Sequence, residues 1–142
     1  MLNELGIYIH IPFCKQKCYY CDFVSYSNKC SEVKEYIESL KKEIEEFDFS
    51  NYKVTSIYIG GGTPSYIDSI YIVEILSELK EKLKCNLIEF KDIEITIEVN
   101  PGTVDTKKLN DYKKLGINRL SIGLQSTKND ILKKIFELCA KN

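Results

Sequence analysis

Apolar residues in this chain fall into short β-branched runs that alternate with longer stretches repeating every three to four residues. Gly6-Ile7-Tyr8-Ile9-His10-Ile11 predicts a buried strand. Ser31 is placed to N-cap a helix whose apolar stripe is Val33, Tyr36, Ile37, Leu40, Ile44 and Phe47. Val54 to Ile59 predicts a second strand, halted by Gly60-Gly61-Gly62, and Asp68 then opens a helix carrying Ile72, Ile75, Leu76, Leu79 and Leu83. A third strand, Ile93 to Val99, is stopped by Asn100-Pro101-Gly102. Asp105 caps a third helix through Leu109, Tyr112 and Leu115, with Gly116 suited to its C′ position. Ile117 to Leu124 makes a fourth strand, and a helical tail begins near Asn129.

Four strands alternating with four helices predict an α/β fold with a parallel sheet, about four βα units curved as a partial barrel or open and doubly wound. In such sheets, functional residues collect in loops at the C-terminal ends of strands. The unusual segments all fall at that edge: a cysteine loop after the first strand, the triple glycine after the second, Glu98-Val99-Asn100-Pro101 after the third and Gln125 after the fourth. Chance would scatter them over both edges, so they predict one site.

Composition narrows the classes. At 142 residues the chain is long enough for one core and short for two domains. With 44% apolar and 29% charged residues it reads as globular, and a net charge of -1 leaves no electrostatic footprint for nucleic acid or acidic lipid. Lysines and glutamates alternating from Lys34 to Glu46 form the solvated face of a helix. Met1 to Leu5 lacks the basic and apolar regions of a signal peptide, and no apolar run approaches the roughly 20 residues that span a bilayer. A cytoplasmic setting is therefore expected. The six cysteines are then expected to be mostly reduced and given to metal or redox use. Cys30, Cys85 and Cys139 stand apart and read as packed or surface thiols.

The chemistry concentrates in Cys14-Lys15-Gln16-Lys17-Cys18-Tyr19-Tyr20-Cys21, a C-x3-C-x2-C spacing. Thiolate is a soft ligand for zinc and iron–sulfur clusters. Three thiolates can hold three corners of an iron–sulfur cube and leave the fourth iron open. A structural zinc would need a fourth ligand, from His10, Cys30 or a carboxylate. A redox dithiol at Cys18 and Cys21 would leave Cys14 without a role. His10 is expected to pack or hydrogen-bond beside the site rather than to ligate metal.

Gly60-Gly61-Gly62-Thr63-Pro64 lets backbone approach a ligand closely, or simply makes a tight turn. It lacks the ending of a P-loop and the spacing of a dinucleotide loop, so its carbonyls and amides suit a small polar group such as an amino acid. Glu94, Thr96 and Glu98 share a strand face. A carboxylate at Glu98 can meet ribose hydroxyls, whereas Glu94 is expected in solvent. Gln125 offers both donor and acceptor, and Arg119 either pairs with a carboxylate inside the sheet or lies on the surface.

With these residues in place, the sequence resembles the radical S-adenosylmethionine (SAM) enzymes. More narrowly it resembles the oxygen-independent coproporphyrinogen III oxidase family and its sister branch, the heme chaperones. The resemblance is carried in order by Tyr8 to Cys14, Cys18 to Phe23, Ile57 to Ser65, Glu98 to Thr103 and Asn118 to Ser126. It implies a radical SAM core domain over residues 1–142, with a [4Fe–4S] cluster on Cys14, Cys18 and Cys21 and SAM chelating the open iron. Tyr20 would lie along the adenine and Tyr8 beside the SAM. Gly61, Gly62 and Thr63 would hold the methionyl part, and Glu98 and Gln125 would contact SAM. One electron from the cluster would release methionine and a 5′-deoxyadenosyl radical. Implied partners are an electron-donor protein and heme or a porphyrinogen, with no nucleic acid.

Two departures qualify this. The oxidase branch carries a further cysteine two residues past the third ligand, where this chain has Phe23. That is the chaperone pattern, with porphyrinogen oxidation as the alternative. The family also continues after Gln125 through a helix holding Gly-Arg, where this chain has Phe136-Glu137 and stops at Asn142. The expectation is a core truncated on its C-terminal side, and a third reading is an inactive or zinc-loaded fragment.

Overall fold

The β-branched runs pair edge to edge in the order in which the chain makes them. The computed structural model describes residues 2–83 and 89–140. Cys85 lies outside them, as do the side chains of Glu137 and Cys139. The strands are β1 (Asn3–Ile11), β2 (Phe13–Cys14), β3 (Tyr26–Ser27), β4 (Tyr52–Gly61), β5 (Glu94–Val99) and β6 (Arg119–Ile122). The helices are α1 (Val33–Glu46), α2 (Ser69–Leu83), α3 (Thr106–Lys114) and α4 (Asn129–Ala140). The main sheet runs β1-β4-β5-β6, all parallel, and β2 and β3 form a separate parallel pair.

Neighbours in the sheet follow chain order, so there is no reversal point of the doubly wound kind. Successive right-handed crossovers then put α1, α2 and α3 on one side of the sheet. That side carries Ile9, Ile11, Ile57, Ile59, Ile95, Ile97 and Val99, all buried against Ile37, Ile72, Ile75, Leu76 and Leu79. Truncating one of these isoleucines to alanine removes about 2–5 kcal/mol. The layer covers β1, β4 and β5 but leaves β6 open, with Leu120 and Ile122 exposed. The opposite side is polar and aromatic. Register places Tyr8, Tyr58, Thr96 and Arg119 in one row across it.

Several boundaries differ from the sequence pattern, each for a local reason. β4 does not halt at the glycines but runs through Gly60 and Gly61, paired with His10 and Ile11. Ser31 does not cap α1: a 3-10 turn over Cys30–Glu32 intervenes, and Glu32 precedes the helix without a side-chain cap. Phe47 leaves the α1 stripe to pack on Phe49 and Tyr52 at the surface. Asp105 does cap α3, accepting the Lys108 amide at 2.7 Å. Gly116 closes that helix at φ 94°, with amide bonds from Gly116 to Lys113 and from Ile117 to Tyr112 that complete a Schellman motif. The fourth strand is shorter than predicted, Arg119–Ile122, and Asn118 ahead of it docks on β5 through its side chain, which bonds the Ile93 carbonyl and Ile95 amide, and through its own amide, which donates to the Ile95 carbonyl.

Candidate functional site

Cys14 ends β2, whose pairing with β3 fixes both ends of the cysteine loop. Inside the loop, Lys17 Nζ donates to the Phe23 carbonyl at 2.7 Å and to Ser25 Oγ at 2.8 Å. The Cys21 amide turns back to the Cys18 carbonyl at 3.1 Å. Cys14 is buried while Cys18 and Cys21 are half-buried, and none is in a disulfide. Among the described residues, no three His, Cys, Asp or Glu side chains gather tightly enough to hold a single metal ion. The three thiols instead lie around the wall of one cavity.

His10 holds the loop from the side. Its Nε2 meets the Val24 carbonyl at 2.8 Å and its Nδ1 meets the Tyr8 hydroxyl at 3.0 Å. A carbonyl can only accept, so Nε2 carries a proton and both ring nitrogens are engaged. This is the supporting position expected of His10.

The glycine turn wraps over the end of β1. The Gly62 amide donates to Ile11 O and the Thr63 amide to Phe13 O, both at 2.9 Å. The Gly61 amide donates to Glu98 Oε2 at 3.1 Å. These three amides are therefore engaged within the protein, while Gly61, Gly62 and Thr63 still line the same cavity as the thiols. The glycines serve close approach. A Cβ on Gly62 would sit 2.9 Å from Cys14 Sγ, and one on Gly61, which has φ 120°, would sit 2.7 Å from the His10 ring. Thr63 Oγ1 lies 3.5 Å from Cys14 Sγ.

Glu98 bridges strands. Besides Gly61, it accepts the Tyr58 hydroxyl on Oε1 at 2.8 Å. Burial and then this carboxylate push the Tyr58 hydroxyl above the usual tyrosine range, and burial followed by the charge of Glu98 does the same to Tyr8. The rings of Tyr8 and Tyr58 stack at 6.1 Å. Glu94 pairs with Arg119 at 2.9 Å with both side chains more than half exposed, so the arginine does meet a carboxylate, but at the surface, and Glu94 is in solvent as expected. Gln125 adopts φ 60°, a sparsely populated conformation for a residue with a Cβ. Its Nε2 comes within 3.1 Å of where a Cβ on Gly123 would stand.

The cavity measures about 370 Å³, within the range of small-molecule sites. Cys14, Cys18, Cys21, Tyr20, Gly61, Gly62, Thr63, Glu98 and Gln125 all line it. Tyr8 does not, and instead contacts His10 and Tyr58. Asn100, Ser121 and Gly123 also line it. Sequence reasoning placed Asn100 in a segment at the site edge and as a strand stop, but gave its side chain no role of its own. A wider cleft of about 600 Å³ adjoins the cavity, where Leu132, Ile135 and Phe136 of α4 supply an apolar wall.

The pattern of the radical SAM superfamily matches residues 8–138 of this sequence. The chain belongs to the radical SAM superfamily. Within it, the chain is 47% identical over 138 residues to the heme chaperone HemW of Buchnera aphidicola from Schizaphis graminum, covering 94% of this chain and 35% of that protein. It is 40% identical over 139 residues to HemW of Escherichia coli, again covering 94% and 35%. The solved structure of coproporphyrinogen III oxidase (HemN) from Escherichia coli, described as a radical SAM enzyme, superimposes with a TM-score of 0.83 at 29% identity, over 95% of this chain and 31% of that one. The four-stranded parallel arc is thus a portion of the radical SAM fold. The chain spans about a third of the length of the curated relatives it matches. No described helix is long and apolar enough to cross a membrane.

Proposed function

We propose that this chain is a HemW-type radical SAM protein whose cavity holds a [4Fe–4S] cluster on Cys14, Cys18 and Cys21 and binds SAM beside it, in the service of heme binding and transfer. The observation that carries the reading is the convergence of these three thiols on one cavity with Tyr20, the glycine turn, Glu98 and Gln125. A tetrahedral zinc ion draws its thiolates to about 2.3 Å from one point. The cavity presents three thiols, one short of a structural zinc's usual four ligands, whereas three suffice for a cluster that leaves one iron open.

In this reading the chain's own groups position and shield. Gly62 lets the turn close onto Cys14, and Glu98 fixes Gly61 while its remaining lone pairs stay open to a polar ligand. Tyr20, half-exposed at the cavity, would cover an adenine, and Gln125, which also lines it, can both donate and accept. Tyr8 acts one step removed, by setting His10. A bound cluster supplies a single electron for reductive cleavage of a sulfonium. A reducing cytoplasm and an electron-donor protein belong to the same reading, with residues 1–142 lying within a radical SAM core domain.

Phe23 lines the cavity where the oxidase branch carries its extra cysteine, and the relatives at 40–47% identity quoted above bear the name heme chaperone. Both favour heme handling over porphyrinogen oxidation. The test is anaerobic reconstitution with iron and sulfide, followed by EPR with and without SAM and then by heme titration. A cluster signal that SAM alters, lost in Cys18→Ala and kept in Cys30→Ala, is expected. No cluster, or a signal indifferent to SAM, sinks the cluster reading. A SAM-responsive protein that decarboxylates coproporphyrinogen and ignores heme would instead make it an oxidase.

A further inference from the structure

Lys108 is a basic residue in the first turn of α3, where the helix dipole and the unpaired amides disfavour a cation. It is nevertheless half-buried, and its ammonium is fully engaged. Nζ donates to the carbonyls of Ser65 at 2.8 Å, Ile67 at 3.0 Å and Thr103 at 3.2 Å. Three donors meet three backbone acceptors, and the acceptors come from two different strand-end loops. Ser65 and Ile67 follow the glycine turn after β4, and Thr103 follows β5.

A second link joins the same two loops. The Asn100 amide donates to Ser65 Oγ at 3.0 Å, and Thr103 Oγ1 donates to the Asn100 carbonyl at 2.8 Å. Ser65 Oγ also meets Thr103 Oγ1. With the Thr103 proton already given to Asn100, the Ser65 hydroxyl must donate to Thr103, so the bonds close into a ring of one direction. Ser65 is wholly buried. Asn100, a member of this ring, and Thr63, beside it, both line the cavity. Lys108 itself does not line it.

We propose that Lys108 is a positioning residue for SAM: by clamping the loop after β4 to the loop after β5, it sets the placement of Thr63 and Asn100 in the cavity and so the affinity for the cofactor. The inference rests on the proposed function and adds a residue that acts through the loops, not by touching the ligand. A flexible cation on three carbonyls is hard to replace with an apolar chain, because the carbonyls are then left partly unpaired. A guanidinium can still donate to several of them.

The test compares Lys108→Met, Lys108→Arg and the exposed neighbour Lys107→Met, all with reconstituted cluster. The readout is the SAM concentration that half-converts the EPR signal of the reduced cluster. Lys108→Met is expected to raise it about tenfold at unchanged iron content. Lys108→Arg should lie within about threefold of the parent, and Lys107→Met should match it. Thr103→Val, which breaks the ring but keeps the carbonyl for Lys108, should shift it in the same direction. If Lys108→Met folds poorly, Thr103→Val and hydrogen exchange of residues 60–67 and 99–104 in Lys108→Arg carry the comparison. Unchanged SAM dependence in Lys108→Met or in Thr103→Val, or a loss that tracks melting temperature alone with no rescue by Arg, overturns the inference. A parent cluster that ignores SAM overturns the proposed function, and this inference with it.

Discussion

Glu98 Oε2 accepts the amide of Gly61 across the sheet at 3.1 Å, while its other oxygen accepts Tyr58 at 2.8 Å. One carboxylate thereby ties the end of β5 to the glycine turn and to the aromatic row of β4. Glu98→Ala leaves two half-buried donors without a partner and is expected to lower stability by about 1–3 kcal/mol in urea denaturation. Glu98→Gln keeps an acceptor for one of them, and should cost roughly 1 kcal/mol or less.

Gly62 is the tightest point between the turn and the cysteine loop. A methyl there would meet Cys14 Sγ at 2.9 Å and the Pro12 backbone at 2.9 Å, and backbone cannot swing aside. Gly62→Ala is expected to lose about 1–3 kcal/mol by overpacking. It should also take up less iron per chain on reconstitution, because Cys14 is displaced. Normal iron content at normal stability would show that Cys14 is not seated against this glycine.

Tyr112 is buried on α3, and its hydroxyl is the buried side-chain polar atom among the described residues that lacks a hydrogen-bond partner. Tyr112→Phe keeps the ring and removes the unsatisfied group. It should be neutral or stabilising by up to about 1 kcal/mol, whereas Tyr112→Ala should cost about 3–5 kcal/mol. A clear loss in the phenylalanine variant would mean that the hydroxyl is satisfied by water.

Alkaline pH should destabilise the fold through its tyrosines. Burial raises Tyr8, Tyr36, Tyr58 and Tyr112, and a bond to Cys30 followed by burial raises Tyr66. Each keeps its proton more firmly folded than unfolded, so its contribution is whole below about pH 10 and fades as pH climbs through the higher folded value. Denaturation midpoints should therefore hold steady from pH 7 to about 9 and fall above about 10. Tyr112→Phe should reduce that slope, which tyrosinate absorbance can follow in parallel.

The elements and the site edge could be read in the sequence because their signals are local. The isoleucine runs, the Asp105 cap and the Gly116 terminus each depend on a few adjacent residues, and each stands where it was expected. What escaped depends on distant partners. The β2–β3 pair joins Phe13 to Tyr26, and two-residue strands have no period to detect. Ser31 has the chemistry of a cap, but it lies inside the 3-10 turn Cys30–Glu32 and not at the helix boundary. Tyr8 sits in the aromatic row and not on the cavity wall, a distinction that strand alternation cannot make. Lys108 belongs to a Thr-Lys-Lys-Leu run that reads as a solvated helix face, and only the folded loops reveal its three acceptors.

The short β2–β3 pair has a consequence for how a cofactor would be taken up. It joins Cys14 to Ser27, so the eleven residues 15–25 between the paired strands form a loop whose ends already meet in the folded chain. Closing such a loop costs roughly 2 kcal/mol of chain entropy, plus a constant, and here that cost is met during folding. The thiols of Cys18 and Cys21 need only settle within a tethered segment. Capture at that loop becomes an event among neighbours at fixed effective concentration, not a search by a free strand of chain.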